Sequence, residues 1–407
     1  MTSVSSPPSH QSAMVPQSEA AYKVIHDSRV AESHSAEVSL IIPVYNVAPY
    51  LEECLAGVFA MTATVRLEII IIDDGSTDGS GQRVSDLLAK HLPAGVLYAR
   101  QHNQGLSAVR NLGVSLASGN YIGFLDSDDL MSVGAMRCML DFARENDCDV
   151  MLGRSVVFDS KSDSVTPFYD EWVWSRLLGH SPSRVISRHE EPTLFLLEPN
   201  ANYRLVRRDF FIRNGLHYPV GKLFEDPPVH YKMLAMSART GLLDVTYYWY
   251  RVNRPGKITA ERSQRRFDIL DVAREVFDTL GNMHVTPEEG AAILYGLTRI
   301  VWWCGTMTLP KQRSDYFEQA CTTFKGYAPV AWVNRFGLLR FPDEILHLVL
   351  GAIMRGDVDR LVRLSFGQRA PIKSFFFLLK IGRKDLVVRR LKEAGSRQFV
   401  KVRKLMR

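Results

Sequence analysis

The chain is poor in the features that would tie it to several common protein classes. Its 407 residues include five cysteines, Cys54, Cys138, Cys148, Cys304 and Cys321, an odd number with no C-x-x-C pair. That usage argues against a disulfide framework or a zinc site and points to a reducing, cytoplasmic setting. No apolar run reaches the ~18 residues that a membrane-spanning helix needs. The N-terminus has no basic start followed by an apolar core, so no secretory signal is expected. No G-x-G-x-x-G opens the first helical segment, which disfavours a dinucleotide-dependent dehydrogenase. The basic excess is modest, +6. It suits anionic ligands or an anionic surface without requiring nucleic acid.

Composition shifts divide what is present. Residues 1–36 are rich in Ser, Pro, Ala and Gln with no apolar period and are expected to be a disordered tail. From Val38 a repeating pattern begins. Strands are predicted at Val38–Ile42 (ended by Pro43), Leu67–Ile72, Val96–Arg100 and Tyr121–Leu125. Helical spacing fills Pro49–Met61, Asp78–His91 (with Ser76 and Thr77 as caps) and Leu106–Ala117 (stopped by Gly119). Strands alternating with helices predict an α/β fold with a mainly parallel, Rossmann-like sheet. Residues 150–200 are less regular, and the sequence beyond 262 is mainly helical in period. From Pro371 onward twelve Lys and Arg face two acids. Together with the preceding Phe375–Leu379 run, that bias suits an anionic membrane surface, or equally a solvated helical face.

Ligands of open parallel sheets gather at the carboxyl ends of the strands. Two acidic clusters fall there: Asp73 with Asp74, and Asp126 to Asp129. Carboxylates two residues apart at a strand end can hold Mg²⁺ or Mn²⁺ while leaving positions open for phosphate oxygens, although acidic pairs also occur in plain surface turns. The Asp73–Asp78 stretch reads as a strand-to-helix turn, but that explains poorly why two acids close an apolar strand. Asp226 precedes Pro227 and Pro228. It can cap a helix running to about Ala238, serve as a general base, or do both. Trp172 and Trp174 offer aromatic faces of the kind that suit sugar rings, and at their alternating spacing they read equally as core. Tyr247–Tyr250 reads as a buried strand and Trp302 with Trp303 as helix core. His217 and His230 have no metal spacing.

In this order, these segments resemble the family-2 glycosyltransferases, whose catalytic domain has the GT-A (nucleotide-diphospho-sugar transferase) fold. The matching stretches are VSLIIPVYN from Val38, EIIIIDDGSTDGS from Glu68, NQGLSAVRNLG from Asn103, GNYIGFLDSDD from Gly119, Phe224 to Asp226, and the closing segment from Tyr247 to Thr259. The resemblance implies a GT-A domain over 37–261 and a helical C-terminal domain with a basic tail over 262–407. It implies an inverting transfer from a nucleoside-diphosphate sugar, UDP-linked, to a glycan or lipid-linked acceptor of bacterial surface-polysaccharide type. Pro43, Tyr45 and Asp74 would meet the nucleobase, Arg110 the nucleotide and Asp126 the ribose. Asp128, in a DXD motif, would bind Mn²⁺ or Mg²⁺, Asp226 would be the catalytic base, and Arg254 and Lys257 would close over the diphosphate. The expected place is the cytoplasm, peripheral on the inner face of the plasma membrane. Two rivals stand beside it. A catalytically inactive nucleotide-sugar-binding protein would need some defect other than a missing acid. A nucleotidyltransferase would need a basic Gly-rich loop where Pro43 to Val47 stands.

Overall fold

A computed structural model describes residues 22–29, 36–254, 262–339 and 341–367. Lys257 and the basic segment 371–407 lie outside the described residues. The elements run β1 (Tyr22–Asp27), β2 (Val38–Val44), α1 (Leu51–Met61), β3 (Leu67–Asp73), α2 (Ser80–His91), β4 (Val96–Gln101), α3 (Leu106–Leu116) and β5 (Tyr121–Phe124). They continue with β6 (Leu130–Met131), α4 (Val133–Glu145), β7 (Val150–Asp159), β8 (Ser164–Pro167), α5 (Glu171–Leu178), β9 (Ser183–Ile186), β10 (Arg204–Arg207), α6 (Arg208–Arg213), α7 (Asp226–Met236) and β11 (Thr240–Arg251). Helices α8 (Asp268–Gly281), α9 (Pro287–Met307), α10 (Arg313–Tyr327), α11 (Val330–Leu338), α12 (Ile345–Arg355) and α13 (Val358–Gly367) follow.

The strands join one sheet in the order β1-β4-β3-β2-β5-β10-β7-β11-β6, with β8 on β7 and β9 on β11. The predicted alternation is present: β2, β3, β4 and β5 are parallel neighbours. Every residue of β2 and β3 is buried, as a strand covered by helices on both faces must be. Pro43 does not end β2. It lies beyond the last β2–β5 partner, Ile41 opposite Phe124, so its missing N–H costs that ladder no rung. The antiparallel β10 carries the order from β5 to β7, bringing residues of the irregular 150–200 stretch and of β11 beside the parallel core.

Two expectations need correction here. The N-terminal tail is not wholly without structure, because Tyr22–Asp27 pairs antiparallel with β4. It was hard to see because this edge strand is largely solvated and its residues are mostly polar. Ser76 and Thr77 do not cap α2. Gly79 stands at the N-cap in a left-handed conformation, and the Asp78 carboxylate accepts the Ser80 N–H at 2.9 Å. Among the described residues no helix is long and apolar enough to cross a membrane.

Candidate active site

The loops after β2 and β3 are built as one surface. Asn46 takes a positive φ of 52°, which turns three successive amides towards the 76–80 turn. Asn46 N–H donates to Ser76 Oγ (3.2 Å), Val47 N–H to Ser80 Oγ (2.9 Å) and Ala48 N–H to Asp78 Oδ2 (3.1 Å). Thr77 N–H returns a bond to Asn46 Oδ1 at 2.8 Å. Burial works against the Asp78 charge, yet these bonds and the Ser80 hydroxyl hold its carboxyl below the usual range. Pro43 is buried beneath the loop and Tyr45 is about half exposed on it, at 49%.

Asp73 and Asp74 have separate tasks. Asp73 accepts the Ser76 N–H (2.8 Å), shaping a turn in which Gly75 has φ 77°, and it pairs with Arg100 at 3.4 Å. Asp74 is buried and faces the start of α3. Its Oδ1 accepts from Gln101 Nε2 (2.8 Å) and Gln104 N–H (2.9 Å), and its Oδ2 from Gly105 N–H (2.8 Å). The residue expected at the nucleobase therefore anchors the helix that carries Arg110.

At the end of β5 the chain turns through Asp126 to Asp129, closed by Asp129 N–H to the Asp126 carbonyl at 2.9 Å. Asn202 grips Asp126 twice, accepting its N–H (3.2 Å) and donating to Oδ2 (2.9 Å). Asp129 is buried and accepts the Tyr248 hydroxyl and the Arg251 N–H, the latter at 2.7 Å. Burial, with Asp128 and Asp126 close by, pushes its carboxyl well above the usual range. Arg251 Nε donates to the Asp128 carbonyl at 2.8 Å, and its guanidinium reaches Glu53 at 2.6 Å while lying over the Phe158 ring. The Asp128 carboxylate forms an ion pair with Arg254.

The third part is the turn into α7. Asp226 is the first residue of that helix, with the two prolines in its first turn, where their missing N–H groups cost nothing. It makes no capping bond; Glu225 occupies the N-cap. Its carboxylate faces Arg110 of α3 instead. That guanidinium is buried against the Phe124 and Tyr218 rings and meets Asp226 at 2.9 Å, Glu225 at 2.7 Å and Asp126 at 3.1 Å. One cation thus serves three carboxylates. Burial raises Asp226 first; Arg110 opposes the rise, and Glu225 and Asp126 add to it, leaving the carboxyl pushed up to about 7. About a quarter of the side chain, 23%, still reaches solvent, so it is open to a ligand. Just before it, Phe224 has φ 63°, a left-handed conformation that costs a bulky residue ~1–2 kcal/mol.

The structure therefore joins Asp126, Arg110 and Asp226 directly, with Asp128 in the same turn as Asp126. Asp74 acts at the N-terminus of α3, little more than one turn before Arg110, and Pro43 and Tyr45 lie beside the 73–80 turn. Glu225, Asn202 and Arg251 have no role assigned from the sequence, and Tyr248 stands there only as part of a buried strand. Glu225 falls in the Phe224 to Asp226 match, and Tyr248 and Arg251 fall in the closing segment from Tyr247, whereas Asn202 acts through a tertiary contact that no local pattern marks. Trp174 is core, under Arg154, and Trp172 packs edge-on against Tyr295. Trp302 is buried as expected, but Trp303 is 37% exposed. His230 is buried beside Arg204, a structural placement, whereas His217 is exposed and contacts Asn111. Among the described residues no group of three or more His, Cys, Asp or Glu is arranged to hold a metal ion. The Asp128 carboxylate is a hard oxygen donor of the type Mn²⁺ and Mg²⁺ take, and here its charge is met by Arg254, which a metal ion would have to displace.

Residues 39–200 match the model of glycosyl transferase family 2. The uncharacterized glycosyltransferase EpsJ of Bacillus subtilis is 32% identical over 224 residues, 54% of this chain and 62% of EpsJ. Glycosyltransferase GlyA of Streptococcus pneumoniae is 28% identical over 263 residues, 63% of this chain and 36% of GlyA. The chain thus spans about a third to three-fifths of these relatives. Residues 1–349 of S. aureus TarS, solved with UDP-GlcNAc, superpose with a TM-score of 0.65 at 16% identity, covering 82% of this chain and 91% of that one. Over residues 39–200 the chain is thus similar to glycosyl transferase family 2, and the fold that carries them is GT-A, followed by a helical C-terminal region.

Proposed function

We propose that the chain is an inverting glycosyltransferase that moves a sugar from a nucleoside-diphosphate donor to a hydroxyl of a glycan or lipid-linked acceptor, with Asp226 as general base. The observation that carries this reading is the convergence of Asp126 and Asp226, from separate segments, on the buried Arg110. Scattered surface acids would not share one desolvated cation, since burying charge is costly unless it is paired.

The chemistry follows from the charges. The nucleobase lies by Pro43 and Tyr45, against the turn that Asp74 anchors, and the ribose lies at Asp126. The diphosphate lies at Asp128, with Arg254 and Lys257 as cationic partners. UDP is the nucleotide favoured, because TarS, which shares the fold, was solved with UDP-GlcNAc. Asp128 would hold Mn²⁺ or Mg²⁺, which supplies Lewis-acid neutralisation of the diphosphate when bound. Asp226 takes the proton of the acceptor hydroxyl as that oxygen bonds to the anomeric carbon. The bond from carbon to the diphosphate oxygen breaks on the opposite face, and the configuration inverts. A carboxyl poised at about 7 suits both proton uptake and release at neutral pH.

A thermal-shift screen of nucleotide sugars with and without Mn²⁺ tests the donor half. UDP-N-acetylglucosamine or another UDP-sugar should raise the melting temperature, because a ligand that binds only the folded state stabilises it. No shift with any UDP-sugar, and none with UDP plus Mn²⁺, would refute the donor assignment. For the acceptor, flotation with anionic vesicles, with and without residues 371–407, tests whether the chain works at a lipid surface.

A further inference from the structure

The turn that delivers Asp226 is held from outside. Leu223 N–H donates to Asp268 Oδ2 at 3.0 Å, and Asp268 is the first residue of α8. Lys222 pairs with Asp271 one turn further along. The Phe224 ring stands edge-on to Trp303 of α9, centroids 5.9 Å apart, and the Arg266 guanidinium covers that indole at 4.7 Å. Three consecutive residues before Glu225 and Asp226 are thus fastened to the helical C-terminal region, and the third of them is the one in a left-handed conformation. A strained φ persists only where the surroundings over-determine it. Released, Phe224 would relax to an ordinary φ and rotate the two acids that follow it away from Arg110.

The geometry points to Asp268 and Trp303 as positioning residues for Asp226: the helical region aims the base through the 222–224 turn. This rests on the reading of Asp226 as the base, but its test does not need turnover. Amide exchange across 220–226, and the titration of Asp226 followed by NMR of ¹³C-labelled aspartate with Asp226→Asn to assign the signal, report the geometry directly. Asp268→Ala should speed exchange at Leu223 roughly tenfold, the loss of one hydrogen bond, and move the Asp226 midpoint towards the ordinary range. Asp268→Asn keeps an oxygen acceptor and should restore both. Trp303→Leu should shift the same two readings, and it decides alone if Asp268→Ala does not fold. Val276→Ala, in the buried face of α8, lowers stability without touching the turn and should leave both readings at parent values. Unchanged exchange and titration in Asp268→Ala and Trp303→Leu, or an equal change in Val276→Ala, would overturn the proposal. Transfer surviving in Asp226→Asn would instead remove the base assignment and leave these readings standing.

Discussion

The N-terminus and the middle of helix α3 treat their carboxylates in opposite ways. At its N-terminus Asp74 accepts three hydrogen bonds from Gln101, Gln104 and Gly105, and Asp78 in the adjoining loop is held below the usual range by its donors. Further along, Arg110 faces Asp126, Glu225 and Asp226 together, and burial drives Asp226 upward. The first is a finished hydrogen-bond network, which suits a rigid floor for a flat, neutral base. The second has more negative charge than its cation can balance, which suits a place where a proton and a diphosphate must be handled. The same helix connects them, little more than one turn apart.

This contrast predicts that substitutions at the Arg110 turn change rate, whereas those at the floor change stability. The largest effect is expected from Asp226→Asn. Turnover should fall by about 10²–10⁴, the usual contribution of general base catalysis, while donor binding stays at the parent level. A residue that only capped α7 would tolerate the change, because Asn caps nearly as well as Asp. Calorimetry with UDP beside a transfer assay separates the outcomes. Asp128→Ala comes next. It should lower turnover by roughly 10²–10³ with the melting temperature nearly unchanged, by loss of electrostatic stabilisation at the leaving group. Full Mn²⁺-dependent activity in that variant would remove Asp128 from the metal. Asp74→Ala should do the reverse. It leaves the Gln104 and Gly105 amides without their partner, and a loss of about 2–3 kcal/mol in thermal or denaturant unfolding is expected. An Asp74→Ala protein as stable as the parent would break the comparison.

What the sequence disclosed follows the same division between local and distant causes. β2, β3 and β5 were legible because a strand covered on both faces must be apolar throughout, and acids closing such strands stand out. Arg110, Asp126 and Asp226 were named through resemblance, and the structure brings them into contact. The meeting of all three on one guanidinium was not legible, because no local pattern records which turn approaches which helix. The partners of Asn202 and Tyr248 were not legible for that reason: each is a single polar side chain whose task depends on the distant Asp126 and Asp129, even though the strand that holds Tyr248 was. Ser76 was misread as a cap because a hydroxyl near a helix start has two acceptable uses. Here it receives the Asn46 amide from another loop. The helical region carried no motif, and its contact with the 222–224 turn is purely tertiary.

The smallest expected effect discriminates most finely between the N-terminus of α3 and the Arg110 turn, because its sign is unusual. Asp226 holds its proton to about 7 in the folded chain, against an ordinary 3.8. Between those values the folded state binds more protons than the unfolded one, so this group's contribution to stability falls as pH rises and is fully unfavourable above 7. Asp226→Asn cannot ionise, and Arg110 keeps Asp126 and Glu225 as partners. The variant should therefore match the parent near pH 4 and exceed it at pH 8 by about 1–2 kcal/mol, less than the full shift implies because one contact to Arg110 is also weakened. Melting curves across pH 4–8 read this directly. A variant that gains stability while losing turnover would mean that the acidic corner is kept for reaction rather than for folding. Loss of stability at pH 8 would mean that the Arg110 pairing outweighs the burial of Asp226, and that the Arg110 turn is as settled as the helix N-terminus.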